Sequence, residues 1–246
     1  MLIPSPRHRP EDLRLWAEHE EADRLHYRLG RVAEKEAKAV EAIRAFAAAG
    51  PCYVSVSWGK DSLVVAWLAR LAEPAIPLVH VHYETLEPDA ISAVRDEYLA
   101  RFPSSYHEAS VASPLSAGDS SSKAGGALIE GLELGRIRAG IDVDRYIYGL
   151  RSEESSDRRK RMWSGATLGR SCAPIGFWST ADVFAFLAVY DLPVHPVYAM
   201  LGGGRWLRDR IRLCNLGGPR GAAGGRTQWE LEYFGAEMRR AGWKAR

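Results

Sequence analysis

The fold is decided by residues 52–71, which read CYVSVSWGKDSLVVAWLARL. The first six, Cys52 to Ser57, form a short β-branched run that is typical of a buried strand. Residues Ser62 to Leu71 are almost all apolar and indicate a buried helix. A strand that leads through a short polar turn into a buried helix is typical of a sheet of parallel strands.

The same alternation continues outward from this stretch. It predicts an α/β fold, a mostly parallel doubly wound sheet with helices on both faces. Ligands bind such sheets beyond the carboxyl ends of the strands, so chemistry is expected after Ser57, Tyr83 and Leu150. The further predicted strands are Ala75–Tyr83, Tyr106–Val111 and Arg145–Leu150, and the further helices are Pro88–Phe102, Leu128–Ala139 and Thr180–Tyr190, with Thr180 as N-cap.

The chain divides into three predicted segments. Apolar residues recur at helical spacing from Glu11 to Ala49, with a break at Gly30, which indicates a helical N-terminal appendage. The C-terminal segment carries ten Lys or Arg against four acids and is rich in glycine. Its runs Gly202–Gly204 and Gly217–Gly218 predict flexibility and ordering on binding. The segments are residues 1–49, the central α/β domain 50–200 and the basic segment 201–246.

The composition excludes several classes of protein. Of the 246 residues, 46% are hydrophobic and 26% are charged, which suffices for a sizeable core. No apolar run approaches the ~18–20 residues of a membrane-spanning helix. The first residues are rich in proline and charge and lack the apolar core of a secretory signal. We therefore expect a cytoplasmic protein without a membrane partner.

The three cysteines, Cys52, Cys172 and Cys214, lie far apart. They form no C-x-x-C pair, which favours a reducing compartment over a disulfide framework. Three are too few for a four-cysteine zinc or iron–sulfur site within this chain, so no iron–sulfur cluster is expected. Cys52 is expected to be inert, and the role of Cys172 stays open. Cys214 either carries a persulfide, favoured by nearby arginines, or is a buried thiol.

The turn at residues 57–62, SWGKDS, joins the first strand to its helix. Gly59 permits a tight turn and close approach to the backbone, and the helix N-terminus attracts anions. Lys60 adds a positive charge, and the two serines add hydroxyl donors. Asp61 can orient a backbone N–H, cap the helix or help to hold Mg²⁺. A Walker A loop is excluded, because G-x-x-x-x-G-K is absent.

A second polar block, residues 148–155 with the sequence YGLRSEES, follows a later strand. Arg151 at the strand end is suited to bidentate contact with a phosphate. Arg158, in the helix that follows, is within reach of the same group. The alternative is an exposed helix start with charges paired at i,i+4. A loop from Ser113 to Gly126, rich in Ser, Gly and Ala, either covers the site or is plain surface.

With these blocks the sequence resembles the PAPS-reductase-like branch of the adenine-nucleotide alpha-hydrolase superfamily, the PP-loop ATP pyrophosphatases. SWGKDS is similar to the PP-loop, although Trp58 stands where glycine is common, and YGLRSEES resembles G-[IL]-R-x-E-E-S. The resemblance implies that residues 57–62 cradle the phosphates of ATP or of an adenylyl compound. Glu153 would fix Arg151 or receive the adenine or ribose edge.

Further blocks extend the resemblance to residues 40–213. APIGFWSTADVF at 173–184 resembles P-[IL]-x-x-W-x-x-x-D-V-[WF], and LPVHPVY at 192–198 resembles L-P-x-H-P-[LV]-Y. Both are expected to be mostly scaffold, and His195 is either a base or a structural histidine.

The segment HVHYET at residues 80–85 stands where the family has H-x-D-T. The resemblance places His82 or Tyr83 against the adenine and Glu84 in the nucleotide site. His80 and His82 share one face of a strand, which suits either a metal or buried polar contacts.

Departures of this sequence from the family's pattern reduce the number of family reactions that it is expected to catalyse. Its reductases need a redox cysteine in an E-C-G-I-H-type tail, or four cysteines for a cluster, whereas this chain ends RRAGWKAR. The resemblance therefore implies an enzyme that cleaves ATP to AMP and PPi with Mg²⁺. The cleavage would activate an acceptor by adenylation for sulfur insertion, as in DNA phosphorothioation. The alternatives are a divergent PAPS/APS reductase (sulfotransferase) and a non-catalytic nucleotide-binding subunit.

The predicted partners are an adenine nucleotide, DNA or tRNA through the basic C-terminal segment, a cysteine desulfurase as sulfur donor, and a second copy of the chain in a homo-oligomer. The predicted catalytic residues are Lys60, Asp61, Arg151 and Arg158, the nucleotide-binding residues are Ser57, Trp58, Gly59, Lys60, Asp61, Ser62, His82, Glu84, Arg151 and Glu153, and the metal ligand is Asp61.

Overall fold

A computed structural model describes residues 1–84, 90–112, 133–211, 213, 216 and 227–240. Two helices open the chain, α1 (Pro10–Leu29) and α2 (Val32–Ala48). They meet at Gly30 and Arg31, where the Gly30 N–H bonds to the carbonyl of His26 and Arg31 is left-handed, with φ 57°. The predicted pair of helices with a break at Gly30 is confirmed.

The central element is a sheet of six strands in the order β3-β2-β1-β4-β6-β5. All neighbours are parallel except β5 and β6, which form an antiparallel hairpin. The sheet confirms the predicted mostly parallel α/β fold. The strands are β1 (Tyr53–Ser55), β2 (Leu78–Glu84), β3 (Tyr106–Ala112), β4 (Tyr146–Ile147), β5 (Thr167–Leu168) and β6 (Ser171–Cys172).

Helices cover both faces of this sheet. Alternate residues of one strand separate two cores, because Val54 lies in the main core and Tyr53 in a smaller one on the other face. On that second face helix α5 packs so closely that a side chain at Gly135 would meet Val81. The remaining helices are α3 (Lys60–Ala72), α4 (Ile91–Arg101), α5 (residues 133–138), α6 (Ser156–Met162), α7 (Thr180–Val189) and α8 (Thr227–Arg240).

The topology predicts where a ligand binds. The chain runs outward from β1 through β2 to β3 and then returns to β4 on the other side of β1. The carboxyl ends of β1 and β4 therefore flank the point at which the winding reverses. Open α/β sheets bind ligands in the crevice at such a point.

Three details differ from the sequence predictions. Helix α7 begins at Thr180, but its N-cap is Ser179, which forms a capping box with Asp182, so the prediction of Thr180 as N-cap is wrong by one residue. The β5–β6 hairpin and helix α8 were not predicted. The helix predicted at Leu128–Ala139 is helical over residues 133–138, and the loop Ser113–Gly126 lies outside the described residues.

The described start of the C-terminal segment is anchored to the N-terminal helices. Gly202–Gly204 form a 3₁₀ turn, which the buried carboxylate of Asp12 holds by accepting from the Gly203 N–H at 2.8 Å. The Tyr233 hydroxyl in α8 donates to Asp12 at 2.7 Å and accepts from the Gly202 N–H at 2.8 Å. The predicted flexibility is therefore wrong for these glycines. Gly217–Gly218 lie outside the described residues.

Arg208 in the same segment is buried and forms a two-pronged ion pair with Asp23 of α1, at 2.7 Å for each bond. Its guanidinium lies 3.9 Å above the ring of Phe184 in α7. The ion pair thus joins the C-terminal segment, the N-terminal helices and the core. Within the described part of the chain, no helix is both long and apolar enough to cross a membrane.

Candidate functional site

The loop after β1 takes its sharp turn at Trp58 and not at Gly59. Trp58 has φ 57°, in the left-handed region that favours glycine, whereas Gly59 is extended, with φ −80° and ψ 167°. The prediction that Gly59 makes the turn is therefore wrong. A side chain at Gly59 would meet only ordinary contacts, the nearest at 3.6 Å, so this glycine leaves room beside the loop.

The indole of Trp58 is fully buried behind the loop. Its N–H donates to Nδ1 of His80 at 3.2 Å, and its ring packs against Tyr98 and Tyr106, with centroids 5.7 and 5.6 Å away. Burial lowers the pKa of His80 to about 4, which keeps it neutral as an acceptor. The side chain of Trp58 therefore supports the loop, and contact of its backbone with a nucleotide stays a prediction.

Hydroxyl groups close the loop from both ends. The Ser62 hydroxyl accepts from the Ser57 N–H at 3.2 Å and donates to the carbonyl of Gly59 at 3.0 Å. The Lys60 N–H donates to the hydroxyl of Tyr198 at 3.4 Å. Tyr198 ends the LPVHPVY block, and its place at the loop was not predicted.

Four charged side chains meet at the start of α3. Lys60 and Arg151 are almost fully buried, with relative exposures of 3% and 2%. The Asp61 carboxylate lies between them, 2.5 Å from Lys60 Nζ and 2.6 Å from Arg151 Nε. Arg151 Nη1 also donates to Glu153 at 2.6 Å. The structure thus brings together four of the predicted site residues from two loops far apart in sequence.

Gly149 makes this meeting possible. A Cβ atom at Gly149 would lie 2.8 Å from the carbonyl carbon of Asp61 and 2.9 Å from the nitrogen of Ser62. Both are backbone atoms at the start of α3, so a larger residue would push the two loops apart. The glycine of YGLRSEES therefore sets the distance between Arg151 and the loop after β1.

Glu153 fixes the guanidinium of Arg151, the first of its two predicted roles. Its carboxylate accepts from the Thr180 N–H at 2.7 Å and from the Thr180 hydroxyl at 3.0 Å as well as from Arg151. Burial opposes ionisation of Glu153, but the bonds from Thr180 and Arg151 outweigh it, and the net effect lowers its pKa. Glu153 therefore ties the loop after β4 to the start of α7.

Arg158 lies one step outside this cluster. Its guanidinium forms an ion pair with Glu154, which in turn lies 3.9 Å from Arg151 Nη2. The arrangement matches the predicted alternative of charges paired at i,i+4. Its phosphate contact stays a prediction.

The histidines are mainly supporting residues. His195 is buried, and its Nδ1 accepts from the Val197 N–H at 3.2 Å, which caps a short 3₁₀ turn. His82 is half-buried, with its ring centroid 6.1 Å from that of His80, on the face that supports Trp58. Its contact with adenine stays a prediction. Glu84 is the last residue of β2, and its side chain and Thr85 lie outside the described residues.

The two described cysteines are not activated. Cys172 is fully buried, and burial raises its pKa to about 11. Burial also raises the pKa of Cys52. Both are neutral thiols near pH 7, whereas nucleophilic cysteines need a lowered pKa. Cys214 lies outside the described residues.

Asp61 does not fit a direct metal contact in this arrangement, because its two oxygens already face Lys60 and Arg151. Mg²⁺ is usually held by one or two carboxylates together with substrate phosphates. In the described ranges no group of three or more His, Cys, Asp or Glu side chains is placed to hold a metal ion. The magnesium role of Asp61 stays a prediction that would require Lys60 or Arg151 to move.

The site combines the features of an anion-binding crevice. It contains the N-terminus of α3, two buried cations and a loop backed by packed aromatic rings, at the point where the sheet winding reverses. Such a crevice suits the phosphates of a nucleotide. The fold and the loop after β1 are those of an α/β protein of the PP-loop type, and nucleotide binding at this site stays a prediction.

The chain belongs to the phosphoadenosine phosphosulfate reductase domain family, which it matches over residues 51–201. This match covers the sheet, the loop after β1 and the Arg151 block. Among curated proteins none matches the chain.

The solved structures that are similar to this chain include a tRNA thiolase and an NAD synthetase. The U34-tRNA thiolase NcsA of Methanococcus maripaludis, solved with its [4Fe-4S] cluster, is 13% identical with a TM-score of 0.46, over 65% of this chain and 63% of that chain. The NH3-dependent NAD synthetase of Campylobacter jejuni, solved with a nitrate ion, is 14% identical with a TM-score of 0.45, over 65% and 74%. This chain therefore matches less than two thirds of the thiolase.

Proposed function

We propose that this protein is an ATP pyrophosphatase that cleaves ATP to AMP and PPi. In this proposal it activates an acceptor by adenylation for sulfur insertion, and the acceptor is a nucleic acid, as in DNA phosphorothioation. The single observation that carries the proposal is the buried pair of cations, Lys60 and Arg151, around one carboxylate at the N-terminus of α3.

The cluster is suited to exchange its carboxylates for phosphates. The side chain of Glu153 is 52% exposed, and that of Asp61 is 17% exposed, so both lie toward the open side of the crevice. Lys60 and Arg151 are already desolvated, so the cost of burying these two cations does not arise again when a phosphate oxygen replaces a carboxylate. Negative charge that develops on a leaving pyrophosphate would be stabilised by these cations and by the helix N-terminus.

The reaction follows from this placement. An acceptor oxygen attacks the α-phosphorus, the bond from that phosphorus to the bridging oxygen breaks, and PPi leaves toward Lys60. Bound Mg²⁺ would add neutralising charge on the phosphates. The adenylated acceptor is then open to displacement of AMP by the outer sulfur of a persulfide, which we assign to a separate cysteine desulfurase. This step joins the acceptor to the desulfurase cysteine through a disulfide, and a thiol reductant then cleaves that S–S bond and leaves one sulfur on the acceptor. The raised pKa values of Cys52 and Cys172 support an external donor over either of these thiols.

The test is product analysis with ATP radiolabelled at the α-phosphate, which reports AMP, beside an enzymatic assay for PPi, with Mg²⁺, DNA or tRNA, and a cysteine desulfurase. We expect AMP and PPi from the wild-type protein, and a loss of about 100-fold or more in Lys60→Ala, the scale for removing one charge-stabilising donor. Arg28→Ala, which removes an exposed cation on α1, is the matched control and should keep full activity.

Two outcomes would overturn the proposal. Sulfite release from PAPS with a thiol donor would identify a divergent reductase. Tight ATP binding without AMP formation under all of these conditions would identify a non-catalytic nucleotide-binding subunit. Sedimentation of the same samples would show whether the active species is the predicted homo-oligomer.

A further inference from the structure

Two large aromatic side chains are exposed beside the site. Trp163, which follows α6, is 78% exposed, and Phe177, in the turn before α7, is 68% exposed. Their neighbours in sequence are in contact, because a Cβ at Gly176 would lie only 2.1 Å from Cε of Met162. This contact brings the end of α6 next to the turn before α7, and we call the two exposed side chains there the aromatic platform (Trp163 and Phe177).

The backbone beneath Trp163 is held in place. The guanidinium of Arg161 donates to the carbonyls of Gly165 at 3.0 Å and Ala166 at 3.4 Å, and to the hydroxyl of Ser171 at 3.2 Å. The Trp163 N–H also bonds to the carbonyl of Lys160. The guanidinium of Arg161 therefore holds this turn in place. The exposed indole of Trp163 extends from a backbone that is fixed by these bonds.

Phe177 is fixed to the site itself. The carbonyl of Gly176 accepts from the Ser152 N–H at 2.8 Å, and the carbonyl of Trp178 accepts from Arg151 Nη1 at 3.4 Å. The residues on both sides of Phe177 are therefore bonded to the loop that carries Arg151. The aromatic platform begins where the proposed nucleotide crevice ends.

Positive charge borders the aromatic platform. Helix α6 carries four consecutive cations at residues 158–161 and a single acid, Asp157. Arg159 and Lys160 are exposed, and the nearest carboxylate oxygen of Asp157 is 3.9 Å from Lys160 Nζ. This surface combines exposed aromatic rings with exposed cations. It therefore differs from a purely apolar surface that would suit a protein partner.

We propose that the aromatic platform binds single-stranded nucleic acid, with bases stacked on Trp163 and Phe177 and phosphates bound by Arg159 and Lys160. Stacking platforms lined by cations are the general solution for binding single strands, because every base has an aromatic face and every link a negative charge. The assignment of the aromatic platform as the place where the acceptor binds rests on the proposed function. The proposal that the aromatic platform binds a single strand does not depend on that function.

Two of the three arginines in the described residues 201–211 of the C-terminal segment are already paired with carboxylates. Arg208 in that segment is committed to Asp23, and Arg205 forms an ion pair with Glu232 at 2.6 Å. The described residues 201–211 also pack against α1.

The test is binding of a fluorescent single strand of about a dozen nucleotides, as DNA and as RNA, at low salt, with the duplex as comparison. Since one stacked base contributes about 1–3 kcal/mol, we expect Trp163→Ala/Phe177→Ala to weaken single-strand binding at least 10-fold, with little change for the duplex. Arg159→Ala/Lys160→Ala should reduce the dependence of log K on log salt by about 0.7 for each lost phosphate contact.

Matched controls remove equally exposed groups elsewhere. Leu29→Ala on α1, where the leucine is 74% exposed, and Arg28→Ala/Lys38→Ala should bind as the wild type does. ATP affinity should be unchanged in all variants, which shows that the fold and the crevice are intact.

The proposal is overturned by absence of single-strand binding at low salt, by equal binding in the aromatic variant, or by equal losses for single strand and duplex. Selective loss of the single strand supports it even if the wild type forms no AMP, and that second result would contradict only the proposed function.

Discussion

Two buried arginines of this protein, Arg208 and Arg151, differ in the kind of carboxylate partners that they have. Arg208 has one dedicated carboxylate, Asp23, which it binds through both terminal nitrogens at 2.7 Å, and aromatic rings cover its guanidinium. Arg151 shares Asp61 with Lys60 and Glu153 with Thr180, and the Glu153 side chain is half exposed. Burial of charge alone therefore does not mark a functional site. The difference is that the partners of Arg151 are shared and partly exposed, and we propose that phosphates replace them.

The Arg208–Asp23 ion pair should contribute more to the free energy of unfolding than the contacts of Arg151 do. Arg208→Ala leaves Asp23 as an unpaired buried carboxylate, which costs about 3–5 kcal/mol of unfolding free energy. Denaturant unfolding measures this loss. The double variant Asp23→Leu/Arg208→Met should recover most of it, because an apolar pair of similar size is often at least as stable. A loss below about 1 kcal/mol in the single variant would show that the pair is not structural.

Acid should weaken the support behind the loop after β1. Burial lowers the pKa of His80 to about 4 from an ordinary value of 6.5, so the unfolded chain binds a proton in this range before the folded one does. Stability is therefore lost as the pH falls from about 6.5 to about 4, by up to about 3 kcal/mol. His80→Asn keeps an acceptor for Trp58 without titrating there.

Unfolding curves across this pH range give the comparison. The wild type should lose stability relative to His80→Asn as the pH falls. Parallel pH profiles for the two proteins would mean that His80 does not contribute.

The distance between the two loops of the site is the next target. Gly149→Ala places a methyl group against the backbone of Asp61 and Ser62, where overpacking costs about 1–3 kcal/mol. We expect ATP affinity to fall about 10-fold or more, measured by calorimetric titration. Gly140→Ala is the control, since a side chain there meets nothing within 4 Å, although its positive φ carries a small cost. Equal ATP affinity for Gly149→Ala and wild type would refute the close approach as a requirement.

The smallest predicted effect concerns the left-handed backbone of Trp58 in the loop after β1. Trp58→Ala and Trp58→Gly both empty a buried site, at about 3–5 kcal/mol, but only glycine relieves the left-handed backbone. Trp58→Gly should therefore be about 1 kcal/mol the more stable of the two in denaturant unfolding. At Val56, which is buried without a positive φ, the order should reverse, with alanine the more stable. The same order at both positions would exclude strain at Trp58.

Much of the fold is predictable from the sequence because its signals are local. The change of period at residues 52–71 and the break at Gly30 identify the first strand and the flanking helices. The β5–β6 hairpin has strands of two residues each, too short for an alternating pattern to appear. Helix α8 follows a glycine-rich stretch whose composition favours a flexible segment.

The charged residues of the candidate site are predictable from the sequence, but the contacts that hold its loops in place are not. Lys60, Asp61, Arg151 and Glu153 follow from two polar blocks at strand ends, because parallel topology brings such ends together. The left-handed backbone of Trp58 and the bond from the Lys60 N–H to Tyr198 depend on tertiary contacts. The pairing of Arg208 with Asp23 joins residues 185 positions apart, beyond the reach of any local pattern.

The most direct test of the account is the ATP dissociation constant of Arg151→Lys measured beside that of Arg208→Lys. Lysine keeps the charge at each position but cannot reproduce a guanidinium fork. We predict that Arg151→Lys weakens ATP binding about 10-fold or more with a smaller fall in melting temperature than Arg208→Lys, and that Arg208→Lys lowers the melting temperature with ATP affinity unchanged. Unchanged ATP affinity in Arg151→Lys, or weaker ATP binding in folded Arg208→Lys, would contradict the assignment of the crevice beside β1 and β4 as the nucleotide site.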